Sequence, residues 1–245
     1  MQQYKIFNIP ILFSRDEINK AILLNKGKKG TVNTINANIL VNAFKNQDYC
    51  SLLSKSSFNI CDGSLLSSMI GFLYKKKFDS YPGPDFFMDK IRERKYTHTF
   101  LGSTQENLKC LKSELYKVDV NVTKSLFLEL PFMDVEDFNY EEISRKVNKF
   151  NSDFIWVSLG APKQEFFSYN LLQYIDKGLI VSVGAAFDFY SGLGKVSRCP
   201  KLFRKLKLEW LFRLYKEPKK TFSRLSNELI YLPIILFREL LNQNK

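Results

Sequence analysis

Short apolar runs alternate with segments of helical periodicity along most of the chain. The apolar runs predict six strands: Ile9–Phe13, Gly30–Ile35, Phe58–Cys61, Thr99–Leu101, Phe154–Leu159 and Leu179–Val183. The amphipathic segments predict seven helices: Asp16–Leu24, Asn36–Asn46, Ser64–Tyr74, Asp85–Arg92, Thr104–Tyr116, Glu141–Asn151 and Gln164–Tyr174. The last two strands are continuously apolar, as strands buried on both faces of a parallel sheet are. The repeated alternation of strand and helix predicts an α/β fold with a mostly parallel sheet.

Two local signals add detail to this organisation. Ser103 and Glu106 have the spacing of a capping box, which predicts the start of the fifth helix. The composition changes at Gly192–Lys195, where the α/β pattern gives way to a basic segment. We therefore predict an α/β core over residues 1–194 and a basic helical appendage over residues 195–245, which the length of the chain easily accommodates.

The basic segment carries most of the net charge. The whole chain has a formal net charge of +12, and residues 195–224 contain eleven Lys or Arg against two Glu. This concentration predicts an anionic partner: phosphate groups on a substrate, an anionic membrane surface, or both. The apolar run Leu229–Phe237 is too short to span a bilayer, which needs about 20 residues, but is suited to its interface. The alternative to an anionic partner is a structural role, in which apolar residues along one side of a helix pack on the core. These residues are Leu202, Phe203, Leu206, Trp210 and Leu214.

Composition narrows the chemistry available to the chain. It is 45% hydrophobic and 25% charged, as ordinary globular proteins are, and Met1–Phe13 has no secretory signal pattern. Four scattered cysteines without a C-x-x-C pair argue against a zinc site and favour reduced thiols in the cytoplasm. His98, the single histidine, is interpreted as structural or exposed. An enzyme built on this sequence would therefore use a carboxylate as its general base.

Polar residues and glycines follow five of the predicted strands at the point where each ends. In a parallel sheet these ends meet at one edge, beside helix N-termini, and ligands bind there. Each segment alone has a structural interpretation, such as Asp62 in a turn or Pro162 at a helix start. Their shared placement predicts a binding site. The segments are Thr34-Ile-Asn36, Asp62-Gly63, Gly102-Ser-Thr104, Gly160-Ala-Pro-Lys-Gln-Glu165 and Gly184-Ala-Ala-Phe-Asp188.

In order and spacing these segments resemble the bacterial TagA/WecG/CpsF glycosyltransferases. The resemblance covers residues 31–224, most of the chain, and extends into the basic appendage. Its further motifs are Pro82-Gly83-Pro-Asp85, Arg198-Cys-Pro200, Leu208-Glu209-Trp210-Leu-Phe-Arg213, Glu217-Pro218 and Arg224.

The resemblance implies a Rossmann-like α/β domain with helices on both faces and an appendage that docks on a membrane. The implied enzyme is an inverting transferase that needs no cofactor and no metal ion. It moves a hexose, typically N-acetylmannosamine or its uronic acid, from UDP to a sugar on a polyprenyl-diphosphate carrier during synthesis of a cell-surface polysaccharide. Its implied location is cytoplasmic, peripheral on the inner face of the cell membrane. The resemblance leaves open both sugars, the pathway and whether the chain forms a homo-oligomer.

The resemblance also implies roles for individual residues. Asp62 is expected to be the general base, with Thr34 and Asn36 in the acceptor pocket. The residues expected to line the nucleotide sugar are Gly102, Gln164 and Gly184, and those expected near the diphosphates and membrane are Arg198, Arg213 and Arg224. The chain departs from the family near Ser80, where an arginine is usual, so one phosphate or acceptor contact is in question.

Two other classes compete with this interpretation. A basic, non-enzymatic nucleotide- or nucleic-acid-binding protein explains the charge but not the acidic and glycine segments at the strand ends, and it predicts binding that weakens steeply with salt. A nicotinamide-dependent oxidoreductase would need a G-x-G-x-x-G opening, which the chain lacks. We therefore expect a transferase and no nucleic-acid partner.

Overall fold

Eight strands form one sheet, in which the two halves of the chain meet at the centre. The computed structural model describes residues 4–193, 199–200, 203, 209–216 and 218–243. The strands are β1 (Tyr4–Ile6), β2 (Ile9–Leu12), β3 (Lys29–Ile35), β4 (Phe58–Cys61), β5 (His98–Gly102), β6 (Leu126–Leu128), β7 (Phe154–Ser158) and β8 (Gly178–Ser182). Their spatial order is β1-β2-β4-β3-β8-β7-β5-β6. All neighbours are parallel except β1 and β2, which form an antiparallel hairpin.

Helices cover both faces of this sheet. Those preceding the appendage are α1 (Arg15–Leu24), α2 (Ala37–Lys45), α3 (Gln47–Ser54), α4 (Ser64–Tyr74), α5 (Gly83–Arg92), α6 (Gln105–Tyr116), α7 (Tyr140–Asn148), α8 (Lys163–Leu171) and α9 (Ala186–Tyr190). Among the described residues of the appendage, α10 (Glu209–Lys216) and α11 (Pro218–Gln243) follow. Short 3-10 turns lie at Val120–Lys124 and Val135–Asp137. The α/β fold with a mostly parallel sheet is thus confirmed.

The core lies in layers on either side of the sheet, because alternate side chains of a strand point to opposite faces. On β7, Phe154 and Trp156 join the cluster beneath α1, α5, α6 and α9, whereas Ile155 and Val157 join the cluster beneath α7 and α8. A further cluster fills the space between the sheet and α2, α3, α4 and α11. Strands covered on both faces have no polar face, which explains their continuous apolar runs.

The predicted elements are confirmed with shifts at their ends. Every predicted strand is present within one residue of its predicted ends, and every predicted helix within three. The structure adds β1, β6, α3 and α9, which the pattern did not predict. Helix α3 was missed because Asn46 both ends α2 and caps α3, so no loop separates the two helices. Strand β1 is short and turns into β2 through Phe7 and Asn8, both with positive φ.

The predicted capping box at Ser103 is wrong. Helix α6 is capped by Thr104, whose hydroxyl accepts a hydrogen bond from the Asn107 N–H at 3.3 Å. Ser103 lies one residue earlier with a φ of 62° and accepts a hydrogen bond from the Asn107 side chain at 2.6 Å. Its left-handed backbone turns the chain from β5 into the helix, so its hydroxyl faces Asn107 and not the helix axis.

Helix α11 packs against the core along one side and is exposed along the other. Ile235 is fully buried among residues of α2 and α4, and Tyr231, Leu232 and Leu236 pack beside it. The opposite side exposes a stripe of large apolar residues: Phe222, Leu229, Ile230, Ile234, Phe237 and Leu241. Within the described part of the chain, no helix combines the length and apolar character needed to cross a bilayer.

Candidate active site

The carboxyl ends of β3 and β4 bring three predicted site residues together. The register pairs Ile35 with Cys61, so the next residues along, Asn36 and Asp62, leave the sheet side by side. The Asp62 N–H donates to the Ile35 carbonyl at 2.7 Å and continues the ladder by one bond. The predicted placement of Asp62 and Asn36 at one edge is therefore confirmed.

Asp62 lies at the junction of β4 and α4. Gly63 follows with a φ of 103° and is the N-cap residue of α4, to which it can offer no side-chain cap. A methyl group at Gly63 would meet only the Asn36 Cβ, at 3.9 Å, so space remains above the turn. Asp62 is half-buried, with the positive end of the α4 dipole directly behind it. The carboxylate therefore lies at the carboxyl edge of the sheet, beside the start of a helix.

Thr34 and Asn36 have defined local partners. The Thr34 hydroxyl is buried and donates to the Ser182 carbonyl on β8 at 3.1 Å, which ties the two halves of the sheet together near this edge. Gly83, at the start of α5, lies so close that a Cβ there would be 3.0 Å from the Thr34 hydroxyl. The Asn36 side-chain oxygen caps α2 by accepting from the Ile39 N–H at 3.1 Å.

The predicted nucleotide-sugar residues meet at the carboxyl ends of β5, β7 and β8. Gln164, in the first turn of α8, accepts from the Gly184 N–H at 3.0 Å. The Ser158 hydroxyl donates to the Gly184 carbonyl at 2.5 Å, so both peptide groups of Gly184 are held. Gly102 has a φ of 111°, and a Cβ there would be 2.6 Å from the Ser158 carbonyl oxygen. Gly102, Gln164 and Gly184 are thus neighbours through Ser158.

Three further side chains belong to this arrangement but were not among the predicted site residues. Asn107 donates both to Ser103 and to the Asp188 carboxylate, the latter at 2.9 Å, and so links α6 to α9. Glu165 is fully buried and accepts from the Gln164 side-chain amide at 2.7 Å. Burial raises the pKa of Glu165 to about 7, although hydrogen bonding to Gln164 acts in the opposite direction. The sequence signal for Asp188 and Glu165 was their place within the strand-end segments.

An arginine from another part of the chain lies at the same edge. Tyr81 donates its backbone N–H to the Cys61 carbonyl at 2.8 Å, which fixes the loop containing Ser80 against the end of β4. The Arg15 guanidinium lies 4.2 Å from the centre of the Tyr81 ring and pairs with Asp89 at 2.9 Å. Because β2 runs parallel to β4, Arg15 follows β2 on the side of Asp62.

The appendage arginines are only partly described. Arg198 lies outside the described residues, and Arg213 lies in α10 with its side chain outside them. Arg224 lies on α11, where its Nε pairs with Glu228 at 2.9 Å. Within the described residues no hydrogen bond or ion pair joins Arg224 to the strand-end residues, so its contact with diphosphate stays a prediction.

His98 is structural. It opens β5, at the amino end of the strand, and is almost completely buried. Its Nδ1 accepts from the Trp156 indole at 3.2 Å, and burial lowers the pKa of His98 to about 4. Because His98 lies at the opposite end of its strand, it is too far from the strand-end residues to exchange a proton with a ligand there. Among the described residues, no three His, Cys, Asp or Glu side chains cluster as a metal site would require.

An α/β sheet with a carboxylate and helix N-termini at its carboxyl edge is typical of enzymes that handle phosphate-bearing substrates. The sequence matches the model of the glycosyl transferase WecG/TagA/CpsF family over residues 4–245. The chain therefore belongs to this family and is a glycosyltransferase. The resemblance seen in the motifs is confirmed, and the non-enzymatic alternative is wrong.

Similar proteins carry one shared name, N-acetylglucosaminyldiphosphoundecaprenol N-acetyl-beta-D-mannosaminyltransferase. The protein of this name from Bacillus subtilis is 27% identical over 228 residues, which cover 89% of this chain and 85% of the relative. The protein from Bacillus spizizenii is 25% identical and covers 80% of this chain and 75% of its own length. The protein from Staphylococcus aureus strain MW2 is 24% identical, with 94% and 84% covered.

Proposed function

We propose that this glycosyltransferase moves N-acetylmannosamine from UDP to N-acetylglucosamine on a polyprenyl-diphosphate carrier. The shared name of the relatives supports the acceptor and the transferred sugar. The observation that supports the mechanism is the position of Asp62, half-buried between the end of β4 and the start of α4. The product would serve the synthesis of a cell-surface polysaccharide.

Asp62 acts as the general base in a single displacement. It takes the proton from the acceptor hydroxyl as that oxygen attacks the anomeric carbon, and UDP leaves from the opposite face with inversion. A positioned base contributes about 10²–10⁴-fold to such a rate. Asn36 and Thr34 lie beside Asp62 at the ends of β3 and β4 and form the acceptor side of the site.

The departing UDP needs positive groups, because breaking the bond to the sugar adds a negative charge to a diphosphate that is already anionic. The Gly102, Gln164 and Gly184 side of the edge receives the nucleotide sugar, beside the residues at which α6 and α9 begin. Arg198, Arg213 and Arg224 supply the remaining charge from the appendage. Arginine suits this task because its planar fork can contact two phosphate oxygens at once.

The appendage also places the enzyme on the cytoplasmic face of an anionic membrane, where a lipid-linked acceptor lies. The exposed apolar stripe of α11 enters the interface, and nearby lysines and arginines contact anionic head groups, at about 1 kcal/mol each. The same stripe could bury itself between copies of the chain, so oligomeric state should be measured with and without vesicles.

Transfer is tested with purified full-length protein, a short-chain prenyl-diphosphate-linked N-acetylglucosamine, and UDP-linked N-acetylmannosamine, N-acetylglucosamine or glucose. We expect product only with the N-acetylmannosamine donor, and none with the Asp62→Asn variant. Product from another donor alone would overturn the sugar assignment. Undiminished turnover by Asp62→Asn would remove Asp62 from the mechanism.

Membrane docking is tested by sedimentation with vesicles that contain an anionic lipid. Leu229 and Phe237 are 76% and 65% exposed on α11, and replacing both with serine should weaken vesicle binding by at least about tenfold, since each buried side chain contributes about 1.5–3 kcal/mol. Leu24→Ser is the matched control, because Leu24 is 66% exposed but lies on α1, across the sheet. Equal binding by the double variant and the control would contradict docking through α11.

A further inference from the structure

A chain of polar contacts runs from the buried interior to the strand-end site. It begins at Glu165, whose side chain is fully buried (0% exposed) in the first turn of α8. Glu165 Oε1 accepts from Gln164 Nε2 at 2.7 Å, and Gln164 Oε1 accepts from the Gly184 N–H at 3.0 Å. Ser158 completes the chain by donating to the Gly184 carbonyl.

The chemistry of the partners determines which way the Gln164 amide faces. The backbone N–H of Gly184 can only donate, so it requires the amide oxygen. An ionised carboxylate can only accept, so Glu165 requires the amide nitrogen. The two demands agree, and together they allow one orientation of a side chain that is itself buried.

Gly184 is the residue at which this series of hydrogen bonds reaches the proposed binding site for the nucleotide sugar. Its φ is 57°, and a Cβ placed on it would have no neighbour within 4 Å among the described residues, so the turn after β8 borders open space in that part of the structure. Helix α9 begins two residues later, at Ala186. A shift of the Gly184 peptide would therefore move the start of that helix, and displacements of about 1 Å can cost about 10²-fold in rate.

We propose that Glu165 is a positioning residue for glycosyl transfer, whose carboxylate fixes the Gln164 amide and, through it, the Gly184 turn. This inference rests on the proposed function, because it assumes that the nucleotide sugar binds at Gly184. Glu165 itself does not touch substrate.

A purely structural role does not explain a carboxylate at this position. Its second oxygen, Oε2, is buried and has no well-formed hydrogen bond, and neither has the Tyr49 hydroxyl, which faces the carboxyl from α3. Burying an incompletely bonded carboxylate is unfavourable, and a neutral side chain of the same shape would fill the space at lower cost. The carboxylate at this position is therefore best explained by its chemistry, since an ionised carboxylate accepts hydrogen bonds and cannot donate them.

Tyr49 is the titratable group that interacts with Glu165 from a neighbouring element. Their interaction lowers the pKa of Glu165 against the larger effect of burial. Other ionisable groups on the surrounding elements bond to backbone carbonyls, namely Lys29, Cys50, Tyr140 and Lys163. The rest are exposed: Asp48, Glu136, Asp137 and the charged residues of α7, Glu141, Glu142, Arg145 and Lys146.

The test compares wild type with Glu165→Gln in the transfer assay from pH 5.5 to 8.5. A glutamine can donate or accept, so the Gln164 amide is no longer held in one orientation. We expect kcat/KM at pH 8 to fall about tenfold, the equivalent of one hydrogen bond. The ratio of the wild-type kcat/KM to that of the variant should fall toward one below about pH 7, where the carboxyl of Glu165 becomes protonated. Any titration of Asp62 affects both proteins and cancels in the ratio.

Tyr49→Phe provides an independent variant. Removing the hydroxyl removes an interaction that lowers the pKa of Glu165. The acidic limb of the pH profile should therefore lie at higher pH in Tyr49→Phe than in wild type. A side chain that only fills space would show no such shift. Both variants should retain the far-ultraviolet circular dichroism of wild type.

Equal kcat/KM and parallel pH profiles for wild type and Glu165→Gln would overturn the proposal. Its failure is separable from failure of the proposed function. If wild type transfers no sugar from any UDP donor, the proposed function is wrong, and UDP affinity measured by calorimetry still decides the role of Glu165. About tenfold weaker UDP binding by the variant at pH 8 would support positioning, and equal affinity would refute it.

Discussion

Replacing Glu165 with glutamine should make the stability of the protein less sensitive to pH between 5 and 8. The Glu165 side chain is fully buried, and burial raises its pKa from the ordinary 4.5 to about 7. The unfolded chain exposes the same carboxyl to water and releases its proton near the ordinary value. Glutamine has nearly the same shape and no proton to release.

The sign and size of the effect follow from this difference. Between pH 4.5 and 7 the folded state binds more protons than the unfolded state, so the free energy of unfolding falls as the pH rises. The full loss is about 3 kcal/mol at most, and most of it falls between pH 5 and 8. The Glu165→Gln variant has no such carboxyl group. Its free energy of unfolding, relative to that of wild type, should therefore rise by about 2–3 kcal/mol between pH 5 and pH 8.

Urea unfolding at pH 5 and pH 8, followed by tryptophan fluorescence, measures this double difference. His98 contributes an opposite pH dependence, because its pKa is lowered to about 4, but it is present in both proteins and cancels. Glu142→Gln is the control. Hydrogen bonding to Lys146 lowers the pKa of Glu142, so that carboxyl is ionised at both pH values and its removal should leave the pH dependence unchanged.

Parallel pH dependences for wild type and Glu165→Gln would refute the reasoning. They would mean that Glu165 has the same proton occupancy in the folded and unfolded states, and the account of its buried environment would then be wrong. A variant that loses stability relative to wild type as the pH rises would contradict the sign. Either result would also remove the physical basis for the expected pH profile of transfer.

Three further outcomes are expected. Asp62→Asn should lower transfer by about 10²–10⁴-fold while UDP affinity and the urea midpoint stay near wild type, and near-normal turnover would exclude a general base at this position. Transfer should survive EDTA, since the strand-end motifs supply no ligand cluster for a divalent ion; loss that magnesium or manganese restores would contradict this. Gly102→Ala should destabilise the fold by about 3 kcal/mol, because its Cβ would lie 2.6 Å from the Ser158 carbonyl at a φ of 111°. Gly160→Ala, at a φ of 78° with no neighbour within 4 Å, should show only the smaller backbone strain.

The sequence could place the candidate residues at one edge of the sheet because the rule that locates them is topological. A parallel sheet gathers the carboxyl ends of its strands at one edge, whatever the order of the strands. Asp62, Asn36 and Gln164 could therefore be assigned to one edge without knowledge of which strands pair. The register that sets Asn36 beside Asp62, and the Thr34 bond to Ser182 across the centre of the sheet, needed the structure.

Elements stabilised by distant neighbours were not predictable in the same way. Helix α3 follows α2 without a loop, and β1 gains its partner only by the turn at Phe7 and Asn8. Ser103 shows the same limit at the scale of one residue. Its spacing to Glu106 fits a capping box, but its left-handed backbone gives the cap to Thr104. Local patterns specify which caps are available, and the geometry of the preceding strand decides which is used.

Glu165 shows why a site residue can be visible in a motif and still go unassigned. In sequence it is an acidic residue in the first turn of a helix, where a carboxylate is favourable and normally exposed. Its burial depends on α3, which comes much earlier in the chain and brings Tyr49 over the first turn of α8. The same residue type thus changes from a solvated helix-end charge to a buried acceptor with a pKa of about 7. An ionised carboxylate in that environment lowers the stability of the folded protein at neutral pH. Its hydrogen bond to Gln164 connects it to the edge of the sheet where the substrates would bind.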